Sequence, residues 1–341
     1  MTTPALLPSG LMDVLPPLAA AEFRLVHYFL KTFMAFGYQP VIPPLAEYAS
    51  SMLAGQGEAT GHHVFRMPDP LAPEMLALRA DMTGQLARIA GTSLSQMPRP
   101  LRLCYAGYTL RTAPEALKTR RQHTQVGIER FGDMDTRSVA ELLSIAAHAL
   151  DGNGVSDITI DLHFPAVMEA LLAEVSAEAQ PAIREAARLK DIAQLRRLKA
   201  GLIADILETS GEAKRTLAKL ATINHPAVAQ AVAALDALVN ALQAQQVAAN
   251  VTVDMLDLSG YGYYTGIGYA LYWNAANIEV GRGGCYRTGS GEDAVGFTLY
   301  INDLLEQLPA EAPAPIKTIP YGTPAKEAAA LQTQGFVTVF K

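Results

Sequence analysis

Few side chains in this 341-residue sequence have types and spacings that could do chemistry. Cys104 and Cys285 are its two cysteines and lie far apart. They match neither a disulfide framework nor a zinc cluster, both of which need closely spaced pairs, so they are expected as reduced core thiols. His62 and His63 are adjacent. Neighbours on a helix or strand point in different directions, so the pair is expected in a polar surface loop over 50–69 rather than on a metal. No Ser–His–Asp order, phosphate-binding P-loop or metalloprotease helix stands out. What remains is a locally basic stretch, RTAPEALKTRRQ, and a later set of segments, SGYGYYTGIGYALYW and EVGRGGCYRTGSG, in which glycines interleave with tyrosines. Glycines in strands let a ligand or another backbone approach the sheet closely.

Around these segments the hydrophobic pattern places the elements. Phe23, Val26, Leu30 and Phe33 recur at helical spacing over Ala19–Phe36, and Gly37 is placed to end that helix. Tyr38–Ile42 reads as a strand stopped by Pro43 and Pro44. Leu76–Arg79 reads as another strand, and Met82–Ile89 begins a helix. Arg99–Leu110 and His123–Phe131 form an expected antiparallel hairpin around the basic loop. Thr136–Leu150 is helical and Ile158–Leu162 alternates like a strand. Residues 165–248 form an alanine-, leucine- and arginine-rich cluster of short helices, broken near Gly211 and near His225-Pro226. Its charge run, Arg184–Lys199, reads as a solvated face. Strand-like sequence resumes at Val251, and a proline-rich linker, Leu308–Pro324, leads to a tail ending in GFVTVF. The sum is an α+β domain interrupted by a helical insertion.

Half the residues are apolar and 18% are charged, enough for a core and too apolar for wholesale disorder. Twenty-seven basic against thirty-three acidic residues leave a net charge of −6, which argues against holding nucleic acid by bulk electrostatics. The N-terminus lacks the cationic start and apolar run of a signal peptide, and no stretch approaches the ~20 uninterrupted apolar residues of a membrane span. A soluble cytoplasmic protein with no membrane contact is expected.

Seven segments in order carry a family resemblance: LPSGLMDVLPP, GYQPVIPPLAEY, LRADMT, LRTAPEALKTRRQHTQVGIERFG, SGYGYYTGIGYALY, EVGRGGCY and GFTLYINDLL. Together they resemble the catalytic domain of histidyl-tRNA synthetase, over about 315 residues. The resemblance implies a class II aminoacyl-tRNA synthetase-like antiparallel sheet flanked by helices over 1–315, with the helical insertion at about 165–248. Residues 316–341 are then a linker and short tail, with no anticodon-binding domain.

Carried over residue by residue, the resemblance is uneven. Pro44 fits the family's motif 1 proline at the homodimer interface. Arg111 sits where an arginine grips the ATP α-phosphate, with Arg120 and Arg121 close by, but Ala113 and Thr119 replace a glutamate and an arginine. Ser259 takes the place of the arginine that holds the substrate carboxylate, and Asp303 that of the motif 3 arginine. Adenylate formation needs cations where charge builds on the phosphates, and losing one such donor costs about 2.7–4 kcal/mol of barrier. The amino-acid pocket fares better. Gln125 and Glu129 stand where the family binds the α-amine and imidazole, Asp81 replaces a glutamate two residues before Thr83, and Tyr263 and Tyr264 match the tyrosine pair. Arg282, Gly283 and Gly284 keep the glycine-rich strand. The pocket is either functional or a relic whose polar groups satisfy one another.

A synthetase-like domain altered in this way resembles the regulatory subunits of ATP phosphoribosyltransferase, paralogues of histidyl-tRNA synthetase. That resemblance implies a non-catalytic, dimeric subunit with no metal, cofactor or catalytic residue of its own. Arg111 and Arg121 would be relics of an ATP site. The partner would be the short catalytic subunit, in a hetero-octamer acting in the first step of histidine biosynthesis, with feedback by histidine and no tRNA. The alternative is a minimal histidyl-tRNA synthetase-like enzyme that activates an amino acid with Arg111, Arg120 and Arg121.

Overall fold

The computed structural model describes residues 7–53, 64–114, 119–257, 264–309 and 314–341. His62, His63, Ser259 and Tyr263 lie outside them. In chain order the strands are β1 (Gln39–Pro40), β2 (Ala46–Tyr48), β3 (Arg66–Pro68), β4 (Met75–Leu78), β5 (Leu101–Leu110), β6 (Gln122–Phe131) and β7 (Ile158–His163). They continue as β8 (Gly211–Glu212), β9 (Ala249–Val253), β10 (Tyr264–Trp273), β11 (Ile278–Arg287), β12 (Asp293–Tyr300), β13 (Ile316–Ile319) and β14 (Val337–Phe340).

The first helix, Leu18–Ala35, begins and ends within a residue of expectation, and Gly37 follows it at φ +85°. Its buried face differs from the expected one. Glu22, Leu25, Phe29 and Phe33 point inward, whereas Phe23 is 71% exposed. The two stripes are offset by about one residue and share Phe33, so spacing alone does not separate them. Packing does: Phe29 stacks on Phe33 at 6.1 Å, and Phe33 meets Phe297 edge-on at 5.6 Å.

The main sheet runs β1-β5-β6-β12-β11-β10-β7-β9-β8. The expected hairpin is β5–β6, paired from Leu101–Phe131 to Leu110–Gln122. The sheet is mixed rather than purely antiparallel, because β1 pairs parallel to β5 and β7 parallel to β9. A parallel pair needs a crossover connection. The helical insertion supplies the one between β7 and β9, with helices at Pro165–Ala173, Gln180–Arg188, Ile192–Arg197, Gly201–Leu207, Ala213–Leu220 and Pro226–Ala244. By length and composition, the last could cross a membrane. It instead buries Val228, Ala231, Leu235, Leu238 and Leu242 and packs on Thr136–Asp151 and Ala213–Leu220. A separate small sheet, β2-β4-β3, leads into the helix Thr83–Gly91.

Cys104 and Cys285 are buried and unpaired, and burial pushes their thiols up to about 11 and about 12. A second compact unit spans Leu308–Lys341. Residues read as linker and tail hold β13 and β14 in parallel, joined by the helix Ala325–Thr333. The prolines punctuate this unit rather than fill it: Pro320 follows β13 and Pro324 caps the helix.

Candidate functional site

The site is built on one row of the sheet. Glu129 of β6 pairs with Gly296 of β12, Gly296 with Gly284 of β11, Gly284 with Gly268 of β10, and Gly268 with His163 of β7. Three successive glycines thus separate two buried ionisable side chains, each leaning over its neighbour. A Cβ on Gly296 would come within 1.9 Å of Glu129 Oε2, and one on Gly268 within 2.2 Å of His163 Nε2. A Cβ on Gly284 would meet the Tyr264 ring at 2.9 Å. The glycines therefore make room for side chains laid along the sheet surface.

Glu129 is 1% exposed. Its carboxyl accepts from Thr83 Oγ1 at 2.9 Å and from the Tyr286 hydroxyl at 2.9 Å. Burial pushes it up to about 8, despite those two donors, and the nearby Asp81 charge adds to the rise. Asp81 and Thr83 come from the turn that opens the helix Thr83–Gly91, where Asp81 Oδ2 accepts the Thr83 amide at 3.1 Å. Gln125 Nε2 donates to Asp81 Oδ1 at 3.2 Å. Among the described residues, Gln125 Oε1 is buried without a hydrogen-bond partner. The Tyr105 hydroxyl lies 2.7 Å from Thr298 Oγ1 and is held well above the ordinary tyrosine value by burial and by Glu129 and Asp81.

Asp81, Thr83, Gln125, Glu129 and Tyr264 are thus brought to one face. Sequence reasoning missed Tyr286, Tyr105, Thr298 and His163. The glycines of β10, β11 and β12 carried the signal for Tyr286 and His163, since a glycine row needs large side chains beside it. The polar groups satisfy one another only in part. The Asp81 carboxylate and the orphaned Gln125 oxygen leave a surplus of acceptors, and no Lys or Arg pairs with Asp81 or Glu129 among the described residues. Such a pocket suits a ligand that brings N–H donors or positive charge.

The neighbouring basic face is arranged differently. Arg111 and Arg121 meet at the loop end of the β5–β6 hairpin, but Arg121 donates to the Arg111 carbonyl at 3.1 Å and to the Ser9 carbonyl at 3.1 Å, and lies 5.1 Å from the Phe65 ring. Arg111 Nε lies 3.5 Å from the Ala80 carbonyl. Arg120 pairs with Glu306 at 2.9 Å, and Asp303 stands one turn before Glu306. Arg282 forms two bonds with Glu279, at 2.7 and 2.6 Å. Cations that could meet phosphates are thus tied to backbone or to carboxylates. No group of three or more metal-ligating side chains is present among the described residues.

Comparison with known proteins places this arrangement. The histidyl-tRNA synthetase family model matches residues 10–304. The ATP phosphoribosyltransferase regulatory subunit of Paramagnetospirillum magneticum is 40% identical over 341 residues, covering 98% of this chain and 90% of that one. Among solved structures, an ATP phosphoribosyltransferase regulatory subunit/histidyl-tRNA synthetase from Bacillus halodurans superposes with a TM-score of 0.83 at 21% identity, covering 100% of this chain and 93% of that one. A chain of the ATP phosphoribosyl transferase complex from Thermotoga maritima matches with a TM-score of 0.64 at 18% identity, covering 82% of this chain and 97% of that one. The two structural likenesses bear on the fold.

Proposed function

The chain belongs to the family of ATP phosphoribosyltransferase regulatory subunits, built on the histidyl-tRNA synthetase domain, and from that premise we propose how it works. It is a non-catalytic subunit that assembles with the short catalytic subunit and is required for that subunit's activity in the first step of histidine biosynthesis. Its buried pocket takes free histidine as the feedback signal. The observation that carries this reading is the contrast between two adjacent faces. The amino-acid face keeps Asp81, Thr83, Gln125 and Glu129 in contact, with acceptors left over. The phosphate face has its arginines engaged and carries Asp303 and Glu306.

The chemistry follows from the donors and acceptors present. Asp81 and Gln125 Oε1 would receive the α-ammonium group, and Glu129, with Tyr286 and Tyr264 beside it, would meet the imidazole. Binding without an ATP clamp stops at recognition, which is what a sensor requires. Self-dimerisation is supported by exposed apolar side chains flanking Pro44 in the chain: Ile42 is 94% exposed, with Leu45 and Tyr48 also exposed. The hetero-octamer, a cytoplasmic location and the absence of tRNA binding complete the proposal, the last supported by the net charge of −6.

Calorimetry with L-histidine and an ATP–pyrophosphate exchange assay test the reading together. Histidine binding that Gln125→Ala weakens, with no exchange, is the expected pair of results. Histidine-dependent exchange would overturn it in favour of a minimal amino-acid-activating enzyme.

A further inference from the structure

The helical insertion is fastened to the sheet beside the pocket by a residue in a costly backbone conformation. Lys190 follows the helix Gln180–Arg188 at φ +52°, a left-handed conformation that a helix end usually assigns to glycine. Its amide donates to the Ala187 carbonyl at 2.9 Å, and the next amide, of Asp191, to the Ala186 carbonyl at 2.8 Å. From that position the ammonium reaches Asp254, whose side chain is nearly buried. Ser210, also in the insertion, donates to the other Asp254 oxygen at 3.1 Å. Burial works against the Lys190 ammonium, and the Asp254 carboxylate outweighs it, leaving lysine above its ordinary value.

Asp254 stands where β9 ends and the chain turns toward the tyrosine segment. Its amide donates to the Leu162 carbonyl at 3.0 Å, and the Phe164 amide donates to the Met255 carbonyl at 3.1 Å. These two bonds bracket His163. His163 is 1% exposed, neither ring nitrogen has a hydrogen-bond partner among the described residues, and its centroid lies 6.3 Å from that of Tyr264. Asp161 on β7, Asp254 and Asp257 after β9, and Arg282 on β11 complete the charged surroundings. A contiguous chain of contacts thus runs from the insertion through Asp254 and the end of β7 to Tyr264. An unpaired, buried imidazole in that chain marks a junction whose hydrogen bonds are not saturated in this state.

We propose that Lys190 and Asp254 are positioning residues for the amino-acid pocket: the latch between them sets the end of β7, and through His163 the Tyr264 wall, so that movement of the insertion changes ligand affinity. This rests on the pocket binding histidine, as proposed above.

Two substitutions separate the latch from the helix end. Lys190→Met keeps the stem and removes the ammonium, and Lys190→Gly relieves the backbone while removing the side chain. Both are expected to keep the circular dichroism of the wild type, to weaken L-histidine binding at least fivefold, and to speed amide exchange in Tyr264–Gly268. A double cycle with Asp254→Asn should show that the two losses are not additive. Wild-type affinity, within twofold, together with unchanged exchange in Tyr264–Gly268 for both lysine variants would overturn the latch. If the wild-type chain binds no L-histidine, the histidine reading fails separately, and the exchange result alone decides the latch.

Discussion

At the scale of single residues, the site is defined by one carboxyl held neutral by its surroundings. Glu129 has an ordinary value of 4.5 and is pushed up to about 8 by burial. Between those values the folded protein keeps a proton that the unfolded chain releases, so stability falls as pH rises, by up to ~1.4 kcal/mol per pH unit. Glu129→Gln keeps the shape and the acceptor for Thr83 but removes the proton. Its melting temperature should therefore exceed that of the wild type at pH 8 and match it near pH 4.5, while L-histidine binding is lost. Thermal melts across that range check the sign. Arg121 is the opposite case, a cation turned into a structural brace. Arg121→Met should cost about 1–3 kcal/mol of stability, because the Ser9 and Arg111 carbonyls lose a charged donor, and should leave histidine affinity unchanged. Denaturant titration with calorimetry on the same variant distinguishes this from a ligand-binding role.

At the scale of elements, the sheet makes the site by alignment. The row from Glu129 to His163 holds only if every register between β6, β12, β11, β10 and β7 is kept, because a one-residue slip would turn these side chains to the other face. Gly296→Ala tests the row directly. Its methyl group would displace Glu129, so histidine affinity should drop more than tenfold, roughly the loss of one good polar contact. The element that backs the sheet is Leu18–Ala35, through Phe29 and Phe33. Phe33→Ala should destabilise the protein by about 3–5 kcal/mol, seen as a lower denaturation midpoint. Most of these elements were legible in the sequence: the β5–β6 hairpin, the glycine strands and the insertion all appear close to where period and composition put them. The inward face of the first helix was not, because two stripes one residue apart both fit the spacing and only contact with Phe297 chooses. The parallel pairing of β7 with β9 was not legible either, since it depends on which way the insertion returns the chain. Of the site, Asp81, Thr83, Gln125, Glu129 and Tyr264 could be named from motifs. Tyr286, Tyr105, Thr298 and His163 come from four different strands, and only the register assembles them.

At the scale of the whole molecule, the chain sets a buried, acceptor-rich cluster beside a face whose arginines are bonded to backbone or carboxylates, within a synthetase-like domain that belongs to a family of regulatory subunits. The net charge of −6 fits a partner that is protein rather than nucleic acid. Control of a separate catalytic subunit by this chain would show in the rate of phosphoribosyl transfer to ATP by the short catalytic subunit, measured alone, with this chain, and with this chain plus L-histidine. The expected result is a low rate alone, a several-fold rise when the chain is added in stoichiometric amount, and suppression by histidine that Glu129→Gln abolishes. A rate that stays the same with and without the chain, under conditions where both proteins are folded, would contradict it.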